Sequence, residues 1–189
     1  MQNRAILEHI YMLLYNEDEY TAKHSSRVAD IARIIGKAMR LRNEDMELLD
    51  GASRLHDIGK IRVATSILNK PGRLTEEEFS EIKKHSGYGY AIVRPKDSAV
   101  ANIVLSHHER YDGSGYPNGI SGADIPLLAR IIAVADSLDA MASDRCYRKA
   151  LPWSICVKEI DKNTGKMYDP DVVQAFDRCM AEIRAILVC

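Results

Sequence analysis

The sequence predicts an all-α fold: a compact, single-domain bundle of about seven to eight helices joined by short loops, with one long glycine-rich loop. Three observations predict it. Apolar residues recur at helical spacing along most of the chain, helix-start signals punctuate it at short intervals, and no convincing run alternates apolar and polar residues as a strand would. The length of 189 residues suits one domain. A chain of that size buries roughly 70% of its unfolded surface, so it needs neither a disulfide nor a structural zinc to fold.

The elements follow in order. Residues 1–15 read as an amphipathic helix. A second helix runs from about Thr21 to Met39, with Val28, Ile31, Ala32 and Ile35 on one face. A third starts at Asn43, read as its N-cap ahead of Glu44 and Asp45, and ends near His56 and Asp57 before Gly59. Residues 60–75 hold Asn69, Pro71 and Gly72 and read as loop with room for one short helix. Thr75 before Glu76, Glu77 and Glu78 is a capping-box start for a helix to about 91. Asp97 opens another, to about Glu109. Arg110–Asp124 contains four glycines and Pro117, a loop signature. Asp124 is then read as the cap of a helix from Ile125 to Ala142, with Pro126 in its first turn. Pro152 and the Asp169-Pro170 pair start the last two.

Composition narrows function. The chain is 46% hydrophobic and 28% charged, as ordinary globular proteins are. Its formal net charge of -1 argues against a dedicated DNA-binding module, though not against a phosphate-bearing small molecule. The apolar runs are too short to span a membrane. Cys146, Cys156, Cys179 and Cys189 form no CxxC pair and read as reduced thiols of a cytoplasmic protein. The N-terminus has no signal-peptide cleavage site.

The ionisable residues on apolar faces carry the chemistry. His24 lies four, seven and eleven residues before Val28, Ile31 and Ile35. Leu48, Ala52, Leu55 and His56 share a face, as do Ile82 and His85. Val100, Ile103, Val104, His107 and His108 repeat the pattern, and so do Leu128, Ile131, Ile132, Ala135, Asp136 and Asp139. Taken singly, a histidine on such a face is a satisfied core histidine. Five segments that each aim a His or Asp inward are different, because an unpaired buried carboxylate is costly. A cation cluster is the simplest compensation. Imidazole plus carboxylate without thiolate suits iron, manganese, zinc, nickel or cobalt. Seven ligands exceed the ~4 that one tetrahedral zinc takes. Two ions sharing Asp57 and a bridging water or hydroxide fit the count, an arrangement that promotes in-line displacement at phosphorus.

His56-Asp57-Ile58-Gly59-Lys60 resembles the HDxGK core of the HD superfamily of metal-dependent phosphohydrolases. His107 through Pro117 (HHERYDGSGYP) resembles the HHExxDGxGYP signature of its HD-GYP subfamily. The stretches 66–75, 125–141, 145–148 and 168–176 also match, so the resemblance covers about His24 to Phe176. It implies an HD-type bundle and a phosphodiesterase that opens cyclic di-GMP to linear pGpG and onward to GMP. Neighbouring expectations are a hydrolase for another cyclic dinucleotide such as 3′,3′-cyclic GMP-AMP, or a module that senses cyclic di-GMP without cleaving it. It implies two divalent ions, iron or manganese first, on His24, His56, Asp57, His85, His107, His108 and Asp136. Asp57 and Lys60 are expected in the chemistry. Lys60, Arg145 and Arg148 match positions that contact substrate phosphate. Tyr116 either stacks on guanine or pins its loop, and Asp139 is placed at the substrate or as a group that orients a ligand. Phe79, Trp153 and Phe176 are read as core, His9 as structural or surface. Glu109 and Asp112 are candidates for bonding to His107 or His108.

Two departures from the family pattern stand out. Tyr20 occupies the position, four before His24, where some members carry a glutamate for a third metal, so a two-metal site is expected. The usual Arg-Pro-Tyr-Arg reads Arg145-Cys146-Tyr147-Arg148. The resemblance further implies a catalytic domain over 21–189. Residues 1–20 would form a linker or dimerisation helix, coupled to a sensor or receiver domain, a GGDEF-type partner or a second copy.

Overall fold

The structure, a computed structural model, describes residues 11–12, 19–144 and 149–187. It is all-α. Among the described residues the helices are α1 (Glu19–Ala38), α2 (Asn43–Leu55), α3 (Thr65–Leu68), α4 (Glu76–Lys83), α5 (His85–Val93), α6 (Ser98–Ser106), α7 (Leu127–Ala142), α8 (Trp153–Lys162) and α9 (Pro170–Leu187). Two 3-10 turns, Ile58–Arg62 and Gly122–Asp124, join them. Of the expected helix over 1–15 only Tyr11 and Met12 are described, and both are helical. Tyr11 donates to the Ala22 carbonyl at 3.0 Å, tying that segment to α1. Arg145, Cys146, Arg148, His9 and Cys189 lie outside the described residues.

The core is aliphatic. Val28, Ile31 and Ile35 of α1, Leu49 and Leu55 of α2, Val100 and Val104 of α6, Ile131, Ile132 and Leu138 of α7, and Phe176 of α9 are all buried. α1 lies at the centre and packs on α2, α7 and α9, so residues on its inner face meet three neighbours.

Several helix ends differ from expectation. Arg42, not Asn43, is the residue before α2, and it makes no side-chain cap. Asp124 closes the second 3-10 turn, and Pro126 precedes α7. Thr75 does form a reciprocal capping box with Glu78, and the Asp97 side chain accepts from the Ala99 and Val100 amides at 2.9 and 3.0 Å. The single helix expected from Thr75 to about 91 is two. At the break the Lys84 amide bonds back only three residues to Glu81, at 3.2 Å. The His85 ring also takes the Ile82 carbonyl, which a continuing helix would offer to the next turn. Phe79, expected in the core, is 46% exposed.

Candidate metal centre

Three histidines reach the site by the same device. His56 and His107 directly follow the last residues of α2 and α6, and His85 follows the break after α4. Each folds its ring back so that Nδ1 donates to the carbonyl three residues earlier: His56 to Ser53 at 2.7 Å, His85 to Ile82 at 2.7 Å and His107 to Val104 at 2.6 Å. A neutral imidazole with Nδ1 committed as donor presents a bare Nε2 lone pair, the form a metal requires. On α1, His24 bonds through Nδ1 to Asp139 of α7 at 2.6 Å. Asp139 in turn receives Arg27 Nε at 2.6 Å and its terminal nitrogen at 3.0 Å. Asp139 is 1% exposed. Both of its oxygens are engaged, by His24 and Arg27, the geometry of a group that orients the His24 ring. Arg27, also on α1, was missed by sequence reasoning. It lies one turn after His24 and in sequence is indistinguishable from a solvated arginine.

The seven residues expected as ligands converge. His24 Nε2 lies 3.1 Å from Asp136 Oδ1. Asp57 Oδ2 lies 3.5 Å from His56 Nε2 and 3.9 Å from His24 Nε2, while its Oδ1 faces His85 Nε2 at 3.4 Å. His85 and His107 approach through Nε2 at 3.3 Å. The ligand atoms of Asp57, His85, His107 and His108 lie within 4.8 Å of one another, and so do those of His24, His56 and Asp136. Each group could hold one ion, and Asp57 turns one oxygen toward each. His56 Nε2 is buried with no hydrogen-bond partner. A buried orphan nitrogen beside two carboxylates is a fit for a cation, since leaving it unpaired carries a desolvation penalty.

The electrostatics agree with a cation site. Burial pulls the His24 value down, but the hydrogen bonds of Asp136 and Asp139 and the charges of Asp136 and Asp57 push it up to about 9. Burial raises Asp57, yet Lys60 and the surrounding imidazoles hold it well below the carboxylate range. Asp136 is lowered too, its burial outweighed by His24, His56 and His108. Burial and mutual repulsion keep His107 far below its usual value, and burial lowers His108 to about 3. Two ionised carboxylates thus stand between a His24 that favours its charged form and the His85, His107 and His108 rings, which burial keeps neutral. Lys60 Nζ bonds Asp57 Oδ2 at 2.5 Å.

Two glycines permit this approach. A Cβ on Gly59 would stand 1.9 Å from the His85 carbonyl oxygen and 2.5 Å from the Gly89 nitrogen, so the HDIGK turn lies directly on the α5 backbone. A Cβ on Gly115 would stand 2.3 Å from the Arg110 nitrogen, which folds the glycine-rich loop against the histidine pair. The loop delivers Tyr116 onto His108, with ring centroids 4.8 Å apart at 32°. Glu109 does not bond a histidine. It is 3% exposed and its Oε1 accepts from the Asn118 amide at 2.7 Å, pinning the loop. Asp112 accepts from the Ser114 amide at 2.9 Å.

The HD domain family matches residues 8–172. The chain belongs to this family. Over 182 residues it is 41% identical to a cyclic di-GMP phosphodiesterase of Thermotoga maritima, covering 94% of the chain and 50% of that protein. Over 163 residues it is 36% identical to the 3′3′-cGAMP-specific phosphodiesterase 3 of Vibrio cholerae, covering 85% and 35%. This HD domain therefore spans half or less of the length of these relatives. Its fold is also that of the HD domain of the Listeria monocytogenes phosphodiesterase PgpH, solved with cyclic-di-AMP: TM-score 0.70, 19% identity, 94% of this chain and 96% of that one. No helix among the described residues is long and apolar enough to cross a membrane.

Proposed function

We propose that this HD domain is a metal-dependent phosphodiesterase that opens cyclic di-GMP to linear pGpG. The observation that carries the reading is Asp57, set between two groups of histidines with one oxygen toward each. It is joined by the sequence similarity to cyclic di-GMP phosphodiesterases. His24, His56 and Asp136 would hold one ion, His85, His107 and His108 the other, and Asp57 would span them. Iron or manganese is the proposed metal. Bound there, divalent ions supply Lewis acidity toward a phosphoryl oxygen and lower the pKa of water.

The chain's own residues do the rest. The Nδ1 bonds of His56, His85 and His107 hold their rings at fixed orientation, so no reorganisation is needed as charge develops. Lys60 stands one turn after the HD pair, where its ammonium offsets charge on the phosphoryl oxygens. Arg145 and Arg148 are assigned to the substrate phosphates, guanidinium being suited to bidentate contact. Tyr116 closes one wall beside His108. The proposed setting is cytoplasmic, with residues 1–20 as the helix through which a sensor or receiver domain, a GGDEF-type partner or a second copy acts.

The test uses protein purified without oxygen and reconstituted with Fe(II) or Mn(II). Incubation with cyclic di-GMP should yield pGpG by chromatography. Binding of cyclic di-GMP without product sinks the enzyme reading. Faster cleavage of 3′,3′-cyclic GMP-AMP in a parallel reaction reassigns the substrate.

A further inference from the structure

Beyond the metal centre, a row of side chains leads from it to the surface. Tyr116 lies on His108 with centroids 4.8 Å apart. The Lys83 ammonium stands 5.6 Å from the Tyr116 ring centre and 4.7 Å from that of Phe79. Phe79 is 46% exposed, on a helix in which four of eight residues are glutamates. Two of the four acids of that helix are occupied elsewhere. Glu78 pairs with Lys70 at 2.7 Å, and Glu81 pairs with Lys84. Lys83 is left facing two aromatic rings, and among the described residues no carboxylate pairs with it.

A cyclic dinucleotide bound for cleavage presents one phosphate to the metals and holds a second phosphate and two purines outside them. We propose that Phe79 and Lys83 form the subsite for that outer half: Phe79 stacks on a purine, and Lys83 moves from the rings to the uncut phosphate. The inference rests on the cyclic-dinucleotide reading of the centre. Stacking on an exposed aromatic needs only a π face, and a lysine resting on rings trades a cation–π contact for a stronger charge-assisted one. These are specificity residues that do not touch the reacting phosphorus.

The test compares cyclic di-GMP with bis(p-nitrophenyl) phosphate, a diester with neither purine nor second phosphate, on Mn(II)-loaded protein. Phe79→Ala and Lys83→Met should each lower the ratio of kcat/KM for cyclic di-GMP to that for the small diester by about tenfold, chiefly through KM. Lys83→Arg should restore most of the ratio. Lys84→Met, a neighbour outside the row, should leave it within about twofold. If wild type cleaves cyclic di-GMP and the ratio is unmoved in Phe79→Ala and Lys83→Met, the subsite is refuted while the proposed function stands. If wild type cleaves only the small diester, both are refuted. Equal losses on both diesters make the residues structural, which also refutes the subsite. Phe79→Tyr and Lys83→Arg, which keep shape and charge, supply the comparison should a truncation unfold.

Discussion

At the scale of single residues, the centre depends on which imidazole nitrogen is bare. Four histidines have Nδ1 engaged, three with carbonyls and His24 with Asp139. Asp139 is held at both oxygens by Arg27. Loss of such supporting contacts typically costs about 10–100-fold in metal affinity. Asp139→Asn and Arg27→Met should therefore weaken metal binding by about that factor in a chelator-competition titration. Unchanged affinity in both would remove the orienting role of the pair. Truncating a ligand should do more. His56→Ala and Asp57→Ala are expected to lose metal as judged by elemental analysis, and full retention in either would refute the ligand assignment.

At the scale of elements, the design places histidines where helices stop. α2, α4 and α6 end at or near a ligand, and the α1 and α7 faces supply the rest. The faces were legible in sequence, because 3.6-residue periodicity shows which side chains share the inward stripe. His24, His56, His85, His107 and Asp136 were found in this way. The break at Lys84 was not legible, because it depends on a ring-to-carbonyl bond that has no periodicity. Nor was the exposure of Phe79, because an apolar residue on a short helix does not reveal whether a neighbour covers it. In sequence Gly59 marks the end of a helix and a motif position, whereas the structure gives it a further reason in the α5 backbone. Gly59→Ala should cost about 1–3 kcal/mol by forcing the turn off α5. For a chain of this size that is on the order of 2–12 °C in Tm. Displacement of Asp57 from His85 should lower metal content as well. A variant with wild-type Tm and metal content would show that the HDIGK turn has slack there.

At the scale of the whole molecule, the metal centre sits inside the core that holds the domain together, so its titration should govern stability when the protein is kept metal-free by chelator. His85, His107 and His108 are depressed by burial, His108 to about 3. Below their ordinary value of 6.5 the unfolded chain takes up protons that the folded chain refuses, so stability falls as pH drops, by up to about 1.4 kcal/mol per pH unit for each such proton. Asp57 and Asp136, held below the usual carboxylate range, add to the same loss at lower pH. His24 acts in the opposite sense. Raised to about 9, its contribution is complete below 6.5 and is lost as pH climbs toward 9. The metal-free protein should therefore show a Tm maximum near neutral pH and decline on both sides in calorimetry. Manganese should change the two arms differently. A metal on His24 requires the neutral ring, so the alkaline decline should flatten. Protons compete with metal for the same lone pairs, so the acid decline should steepen and shift upward in pH. A metal-free Tm that is flat from pH 4 to 9, or two arms that respond alike to manganese, would mean that these groups are not coupled to folding through the geometry described.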